Sequence, residues 1–491
     1  MDQSQIQSVV EEVVSRMLGN GGGPVPAAKA RELDGAKRSG TTGAQAATPS
    51  PELGVFASVN EATKAAEKAF LAYKELKLDD RDKVVATIRR TGHAFKHKWA
   101  PDTMKETGMG RTEHKIMKFN AVCDGTRGTE DLTTYAKTGD CGLMIEEMAP
   151  YGVVCAVTPS THPVPTLINN SISLLAAGNT IVFAPHPASK RVFAEAVATM
   201  NREIIAAGGP PNLMTTVVEP TIETTNEMFA HPLTRLLLVT GGPGVVKAAL
   251  AMPKKAITAG PGNPPVVVDE TADLKRAAKS IIDGGGFDNN ILCIGEKEVF
   301  CVGSVFDALM REMEQQGCVR LSERESDALA QKAFEKKGEH YLVSRQFVGR
   351  NASVLADAIG MRGVGDNVPL LFGEVNSPQN IWVQEEQMMP FIPFVRVPDV
   401  NTAIELAIQA EHGYRHTACM HSTNLPNLSR MARLCDCSIF VKNGPSVAGL
   451  AVGGEGYISY SIASPTGEGI TTAKTFTRKR RCTLVDAFRI I

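Results

Sequence analysis

The chain of 491 residues has almost no net charge, with 52 Lys and Arg against 53 Asp and Glu. Without a field of one sign, it has no general attraction for nucleic acid or for an anionic membrane. It lacks any uncharged apolar run of ~18 residues, so no membrane-spanning helix is expected. Its N-terminus lacks the basic stretch and apolar centre of a secretory signal. The ten cysteines lack regular spacing and read as reduced cytosolic thiols without a disulfide framework. Cys435-Asp436-Cys437 is the one close pair, and it reads as inert core within an apolar, strand-like run. His412, His416 and His421 have no carboxylate general base between them and read as structural, so no metal is expected. There is also no internal repeat of ~20–50 residues, which excludes a solenoid or propeller.

What is present is an ordinary globular composition, 43% hydrophobic and 21% charged. The length exceeds one core, so two or three domains are expected. Residues 1–18 place Ile6, Val9, Val10, Val13, Val14, Met17 and Leu18 at helical spacing, with Gln5, Gln7, Glu11, Glu12 and Arg16 on the other face. Residues 19–50 are rich in glycine, proline, alanine and threonine and read as a flexible tether. A short apolar stripe on a tether suggests docking to a partner. The alternatives are a helix that folds back on its own oligomer, or simple disorder.

The globular part opens near Val55, with Ser58 and Glu61 spaced as a capping box. Helical sequence runs to about Ala136. Glu146 to Thr158 reads as strand, turn, strand. Helical and strand runs then alternate from Ile168 to Leu250, and a second unit begins with a strand at Asn263–Asp269. Such alternation predicts α/β domains with largely parallel sheets.

The centre of the chain is Gly284-Gly285-Gly286-Phe287-Asp288-Asn289-Asn290-Ile291-Leu292-Cys293. The glycines give backbone freedom, and the asparagines tolerate left-handed turns. Cys293 follows in a loop, just ahead of the strand-like run Glu298–Val302. Two readings stand on this pattern alone: a positioned nucleophile, or one more inert buried thiol.

The segment Phe287-Asp288-Asn289-Asn290-x-x-Cys293 resembles the active-site segment of CoA-acylating aldehyde dehydrogenases. Three more segments agree in order and spacing: Val157 to Pro163, Val239 to Gly244, and Pro465 to Gly469. The similarity covers roughly residues 52–491. It implies an aldehyde dehydrogenase-like α/β fold. A Rossmann-type cofactor domain would span 51–258, with an oligomerisation strand segment near 137–150. A catalytic domain would span 259–450, and residues 451–491 would return to the cofactor domain and end in an oligomerisation tail.

The same resemblance assigns roles. Cys293 would be the nucleophile, and Thr161 or His162 would stand beside the oxyanion. Asparagine is usual at the position of His162, so this departure leaves open whether His162 donates or packs beside the nicotinamide. Thr158, Pro159, Ser160, His186, Gly241 and Gly242 would line the NAD site, and Glu386 would hold the nicotinamide ribose. Gly241-Gly242-Pro243-Gly244 alone fits a phosphate-approaching turn or mere tight packing equally. Ala184 and Pro187 replace the lysine and glutamate that bind adenosine ribose in hydrolytic relatives, so NAD rests on family habit. Thr258 stands where hydrolytic relatives carry the glutamate that activates water, and threonine cannot do so near neutral pH.

The expected enzyme oxidises a short-chain aldehyde, propionaldehyde before acetaldehyde, with NAD and CoA. The stripe over 1–18 resembles the encapsulation peptides of bacterial microcompartments. It implies a shell protein as partner and a place in the compartment lumen within the cytoplasm. A homo-oligomer, dimer or tetramer, is expected. The rivals are a hydrolytic aldehyde dehydrogenase and a catalytically idle nucleotide-binding component of the compartment.

Overall fold

The computed structural model describes residues 48–337 and 340–491. The helix expected over 1–18 and nearly all of the tether expected over 19–50 lie outside the described residues. The first long helix is Val59–Tyr73, and the Ser58 hydroxyl accepts from the Glu61 amide at 3.3 Å. The Glu61 carboxylate takes the Ser58 hydroxyl proton at 2.9 Å.

Two parallel sheets follow from the β/α alternation. In the first, the strands lie in the order Val55–Phe56, Met214–Val217, Thr180–Pro185, Val153–Thr158, Thr234–Thr240 and Lys255–Ala259. Every pairing is parallel. Val153–Thr158 and Thr180–Pro185 are buried along their whole length, as near-continuous apolar strands covered on both faces must be. From Val153–Thr158 the chain first builds outward on one side and then returns to build on the other. The carboxyl ends of Val153–Thr158 and Thr234–Thr240 therefore flank a topological switch point, where open α/β sheets leave a crevice.

The second sheet has seven strands in the order Val319–Leu321, Leu371–Glu374, Phe391–Val397, Glu298–Val302, Pro265–Val268, Thr417–His421 and Ile439–Lys442. All its pairings are parallel as well. A third, antiparallel sheet joins Tyr135–Gly139, Gly142–Pro150 and Thr477–Val485. Most of it is exposed, and Leu484, Val485, Phe488, Ile490 and Ile491 present apolar side chains to solvent.

Two local expectations are corrected. Cys435 ends a helix, Leu425–Cys435, rather than lying in a strand, and Asp436 closes that helix in the left-handed region at φ 46°. Its Leu428, Met431 and Cys435 are buried at helical spacing, which an apolar count alone does not separate from a strand. The glycines at 284 and 285 serve close packing, not backbone freedom, because both sit inside the helix Leu274–Gly285. A Cβ on Gly284 would lie 1.9 Å from Glu296 Oε2, and one on Gly285 would lie 2.3 Å from Ile392 Cδ1.

Candidate active site

Three consecutive left-handed residues shape the loop ahead of Cys293. Asp288, Asn289 and Asn290 have φ of 49°, 57° and 63°. Asn and Asp tolerate this conformation singly, but a run of three needs outside support. The segment around Gly110–Lys118 provides it. The Arg111 amide donates to Asp288 Oδ1 at 2.7 Å, and its Nε donates to Asn289 Oδ1 at 2.7 Å. Its guanidinium also donates to the carbonyls of Asp366 at 2.7 Å and Val368 at 3.0 Å. The Asp288 amide donates to His114 Nδ1 at 2.8 Å, and that ring stacks on Phe287 at 4.8 Å. Gly110, at φ 81°, is required here, since a Cβ would fall 2.0 Å from Asp288 Oδ1.

The Asp288 carboxylate is fully buried and faces two buried ammonium groups, Lys118 at 2.5 Å and Lys115 at 3.2 Å. Burial alone would raise this carboxyl, but the two lysines hold it well below the usual carboxylate range. Burial drives Lys118 down to about 8, against the pull of Asp288. Lys115 also reaches the Thr161 carbonyl at 3.5 Å, which ties this cluster to the segment 157–163.

The downstream side of the loop is held from within. Asn290 Nδ2 donates to the Glu296 carbonyl at 2.9 Å. The buried Lys297 ammonium donates to the carbonyls of Asn290 at 2.8 Å and Leu292 at 3.2 Å, and to Asn290 Oδ1. Glu296 accepts from the Ser446 amide at 2.8 Å and hydroxyl at 2.7 Å. Even so, burial raises Glu296 to about 7.

Cys293 is half-buried and free. Burial pushes its thiol up to about 12, and the Glu386 carboxylate adds to the rise, while Lys297 and Lys118 pull it down. Burial thus favours the neutral thiol over the thiolate. Glu386 is half-buried, accepts from the Gly262 amide, and is itself raised to about 7 by burial.

The other predicted residues converge on this loop to different degrees. The Gly262 backbone runs close under Cys293, since a Cβ there would lie 2.6 Å from the Cys293 carbonyl oxygen. Thr258 is buried, its amide donates to Thr466 Oγ1 at 3.1 Å, and its hydroxyl has no partner among the described residues. That contact joins the Pro465–Gly469 segment to the site. Thr161 Oγ1 and His162 Nδ1 lie 2.9 Å apart, and the His162 ring packs against Tyr460 at 5.0 Å between centroids, tilted by 35°. Burial, with the Lys118 and Lys115 charges, holds His162 well below its ordinary value, so the ring is neutral.

The residues that the resemblance assigns to the cofactor, Glu386 apart, lie along the carboxyl edge of the first sheet. Thr158 ends its strand with a buried hydroxyl that lacks a partner among the described residues. Pro159 and Ser160 follow it, half-buried. Gly242 caps the helix Pro243–Leu250, and a Cβ on Gly242 or Gly244 would meet nothing within 4 Å. That open space removes tight packing as the reason for these two glycines, while a Cβ on Gly241 would lie 2.9 Å from Val245 Cγ1. A vacant-walled helix N-terminus beside an unpartnered hydroxyl, at the switch point of the sheet, fits a dinucleotide. His186 is exposed at the next strand end, and its Nδ1 accepts from the Ala188 amide at 3.1 Å. Its amide donates to the Thr158 carbonyl at 3.1 Å, which sets it beside that strand end. Among the described residues no group of three His, Cys, Asp or Glu could hold a metal.

Sequence reasoning missed Arg111, His114, Lys115, Lys118 and the role of Lys297. Two lysines three apart on one helix share a face. Nothing in the sequence shows that their carboxylate lies 170 residues further on.

The aldehyde dehydrogenase family model matches residues 51–457, and the chain belongs to that family. Within it, the chain is 50% identical to the acetaldehyde dehydrogenase (acetylating) EutE of Salmonella typhimurium, over 91% of this chain and 96% of that one. Its fold superposes at TM-score 0.87, with 44% identity, on a propionaldehyde dehydrogenase of Rhodopseudomonas palustris solved with bound CoA and an acylated cysteine. That match covers 89% of this chain and 100% of the other. It also superposes at 0.87, with 42% identity, on the propionaldehyde dehydrogenase of a Clostridium phytofermentans fucose utilisation microcompartment, covering 90% and 100%.

Proposed function

We propose that this chain oxidises a short-chain aldehyde to its acyl-CoA through a thioester on Cys293, using NAD and CoA. The observation that carries this reading is the pairing of Cys293, on a loop clamped from both sides, with Thr258 where a water-activating carboxylate would stand. An acyl group on Cys293 then has no carboxylate at position 258 to activate water, and awaits a thiol. The acylated cysteine and bound CoA of the Rhodopseudomonas enzyme support the same order of events.

The Cys293 thiol releases its proton to solvent water, and its sulfur bonds to the aldehyde carbon as the carbonyl π electrons move to oxygen. The carbonyl oxygen becomes an oxyanion beside the Cys293 amide and the Thr161–His162 pair, whose neutral imidazole leaves donation to an N–H or O–H. Bound NAD supplies the hydride acceptor. Thr158, Pro159, Ser160, Gly241 and Gly242 would hold it, with His186 beside Thr158 and Glu386 on the nicotinamide ribose. Loss of hydride from the carbon leaves the acyl-cysteine, and the CoA thiolate then displaces Cys293.

The acetylating relative and the two propionaldehyde enzymes bracket the substrate as acetaldehyde or propionaldehyde, with propionaldehyde favoured here. The two parallel sheets support a cofactor domain over 51–258 and a catalytic domain over 259–450. The exposed strand Thr477–Val485 and the apolar residues beyond it support an oligomerisation tail and a homo-oligomer. The microcompartment relative supports a lumenal location, with residues 1–18 docking to a shell protein. Deleting residues 1–18 is expected to leave turnover unchanged and to abolish co-purification with shells; equal recovery of both forms removes the targeting reading.

NADH production with and without CoA tests the reaction. Sustained turnover only with CoA, yielding acyl-CoA, is expected. Sustained CoA-free turnover yielding the acid overturns it in favour of the hydrolytic rival, and no turnover in either case leaves the idle component.

A further inference from the structure

A short loop links the helix Val400–Ala410 to the strand Thr417–His421. His412, Gly413 and Arg415 bend it, with φ of 55°, 72° and 55°. It is pinned on several sides. The Glu411 carboxylate accepts from the His416 amide at 2.8 Å, and His412 Nε2 donates to the Gln384 carbonyl at 2.8 Å. The Arg415 carbonyl accepts from the Ser438 amide at 2.9 Å and hydroxyl at 3.0 Å. Between this loop and the segment 464–465 opens a pocket of about 300 Å³, lined by Pro261, Gly413, Tyr414, Arg415, Ser464 and Pro465.

Both walls of the pocket rest on the stretch that backs Cys293. Pro261 precedes Gly262, whose backbone runs under the Cys293 carbonyl. Pro465 packs on the other end of that stretch, since a Cβ on Gly260 would lie 3.0 Å from its Cγ. The adjoining Thr466 hydroxyl accepts from the Thr258 amide at 3.1 Å. Ser464 is only 8% exposed, and its hydroxyl has no partner among the described residues. Such a hydroxyl is costly to bury and is matched to a polar group of a ligand. Arg415 is exposed at the mouth, where its Nε lies 3.5 Å from Asp436 Oδ2. A short aldehyde has no anion for this guanidinium, and the oxidised nicotinamide ring carries a positive charge that it repels. CoA has phosphates for the mouth and an amide-bearing arm, ending in the thiol, for the interior.

We propose that this pocket is the entry site for CoA. Arg415 pairs with a phosphate at the mouth, and the Ser464 hydroxyl hydrogen-bonds an amide of the pantetheine arm, which aims the thiol at the acyl carbon on Cys293. The CoA thiol gives its proton to water, and its sulfur bonds to the acyl carbon as the bond from that carbon to the Cys293 sulfur breaks. The Cys293 thiolate so released takes a proton back from water. This rests on the CoA-dependent reaction proposed above.

The test loads Cys293 of the full chain with aldehyde and NAD, then follows discharge of the acyl group by CoA and by pantetheine, which lacks the phosphates. Arg415→Gln is expected to lower the rate with CoA relative to that with pantetheine on the order of 10-fold, as for loss of one charge-assisted hydrogen bond. Ser464→Ala is expected to slow both thiols about 5-fold, as for loss of one neutral hydrogen bond. Arg415 is exposed and the Ser464 hydroxyl has no partner among the described residues, so both variants keep the fold. An unchanged ratio of the two thiols in Arg415→Gln, or parent-like discharge in Ser464→Ala, overturns the proposal. Weaker NAD binding with parent-like discharge assigns the pocket to the dinucleotide and overturns it too. Failure of the parent to load an acyl group on Cys293 overturns the reaction itself, and is seen before either thiol is added.

Discussion

Glu296→Gln isolates the energetic cost of one buried carboxylate beside the nucleophile loop. Glu296 is fully enclosed, and it accepts hydrogen bonds from the Ser446 amide and hydroxyl. Gly284 faces it without a Cβ, so the side chain has no room to turn away. Burial raises its carboxyl from an ordinary 4.5 to about 7. The folded state therefore binds the proton more tightly than the unfolded chain. Stability from this group is fully present below about 4.5 and is lost as pH rises through about 7. Between pH 5 and pH 8 the loss comes to about 2 kcal/mol. Glutamine keeps an acceptor for the Ser446 amide and carries no charge, so it should not show this loss. Urea unfolding at pH 5 and pH 8, at one protein concentration, should show the variant gaining about 2 kcal/mol on the parent across that interval. Glu386 and other groups titrate in both proteins and cancel in the comparison. A stability difference that is the same at both pH values would refute the assignment of this cost to Glu296.

Three further outcomes follow from the same geometry. Gly110→Ala should displace Asp288 from the Arg111 amide and lower kcat on the order of 10–100-fold with the fold retained, read by NADH formation; an unchanged kcat would show that the left-handed loop does not need this clamp. Glu386→Gln removes the charge that raises Cys293, so iodoacetamide should alkylate Cys293 faster at a given pH while turnover falls; slower alkylation would reverse the sign assigned to that carboxylate. Thr466→Val strips the partner from the buried Thr258 amide and should cost about 1–3 kcal/mol in thermal or urea unfolding, whereas an effect near zero would show that water replaces the hydroxyl.

The fold was legible because its signal is local. Apolar runs such as Val153–Thr158 and the amphipathic pattern of Val192 to Ala207 declare a strand and a helix from their own residues. The Asn-Asn-x-x-Cys pattern likewise pointed to the loop, and Asn289 and Asn290 are indeed left-handed. Asp288 shares that conformation, and its need for Gly110, Arg111, Lys115 and Lys118 was not legible. Those contacts span about 170 residues, and no periodicity connects them. The glycines at 284 and 285 were misread for the same reason: their constraint comes from Glu296 and Ile392 across the packed interior, not from their own φ. Cys435 was misread because an apolar stretch of that length fits a strand or a helix.

The central claim is that the acyl group passes through Cys293 and waits there for a thiol. The direct measurement mixes the full-length protein with aldehyde and NAD, withholds CoA, quenches, and maps the adduct by peptide mass spectrometry. About one NADH per active subunit is expected, with an acyl group on the peptide carrying Cys293 and release of that group as acyl-CoA when CoA is added. Continued NADH formation without CoA, or an acyl group on any cysteine other than Cys293, would contradict it.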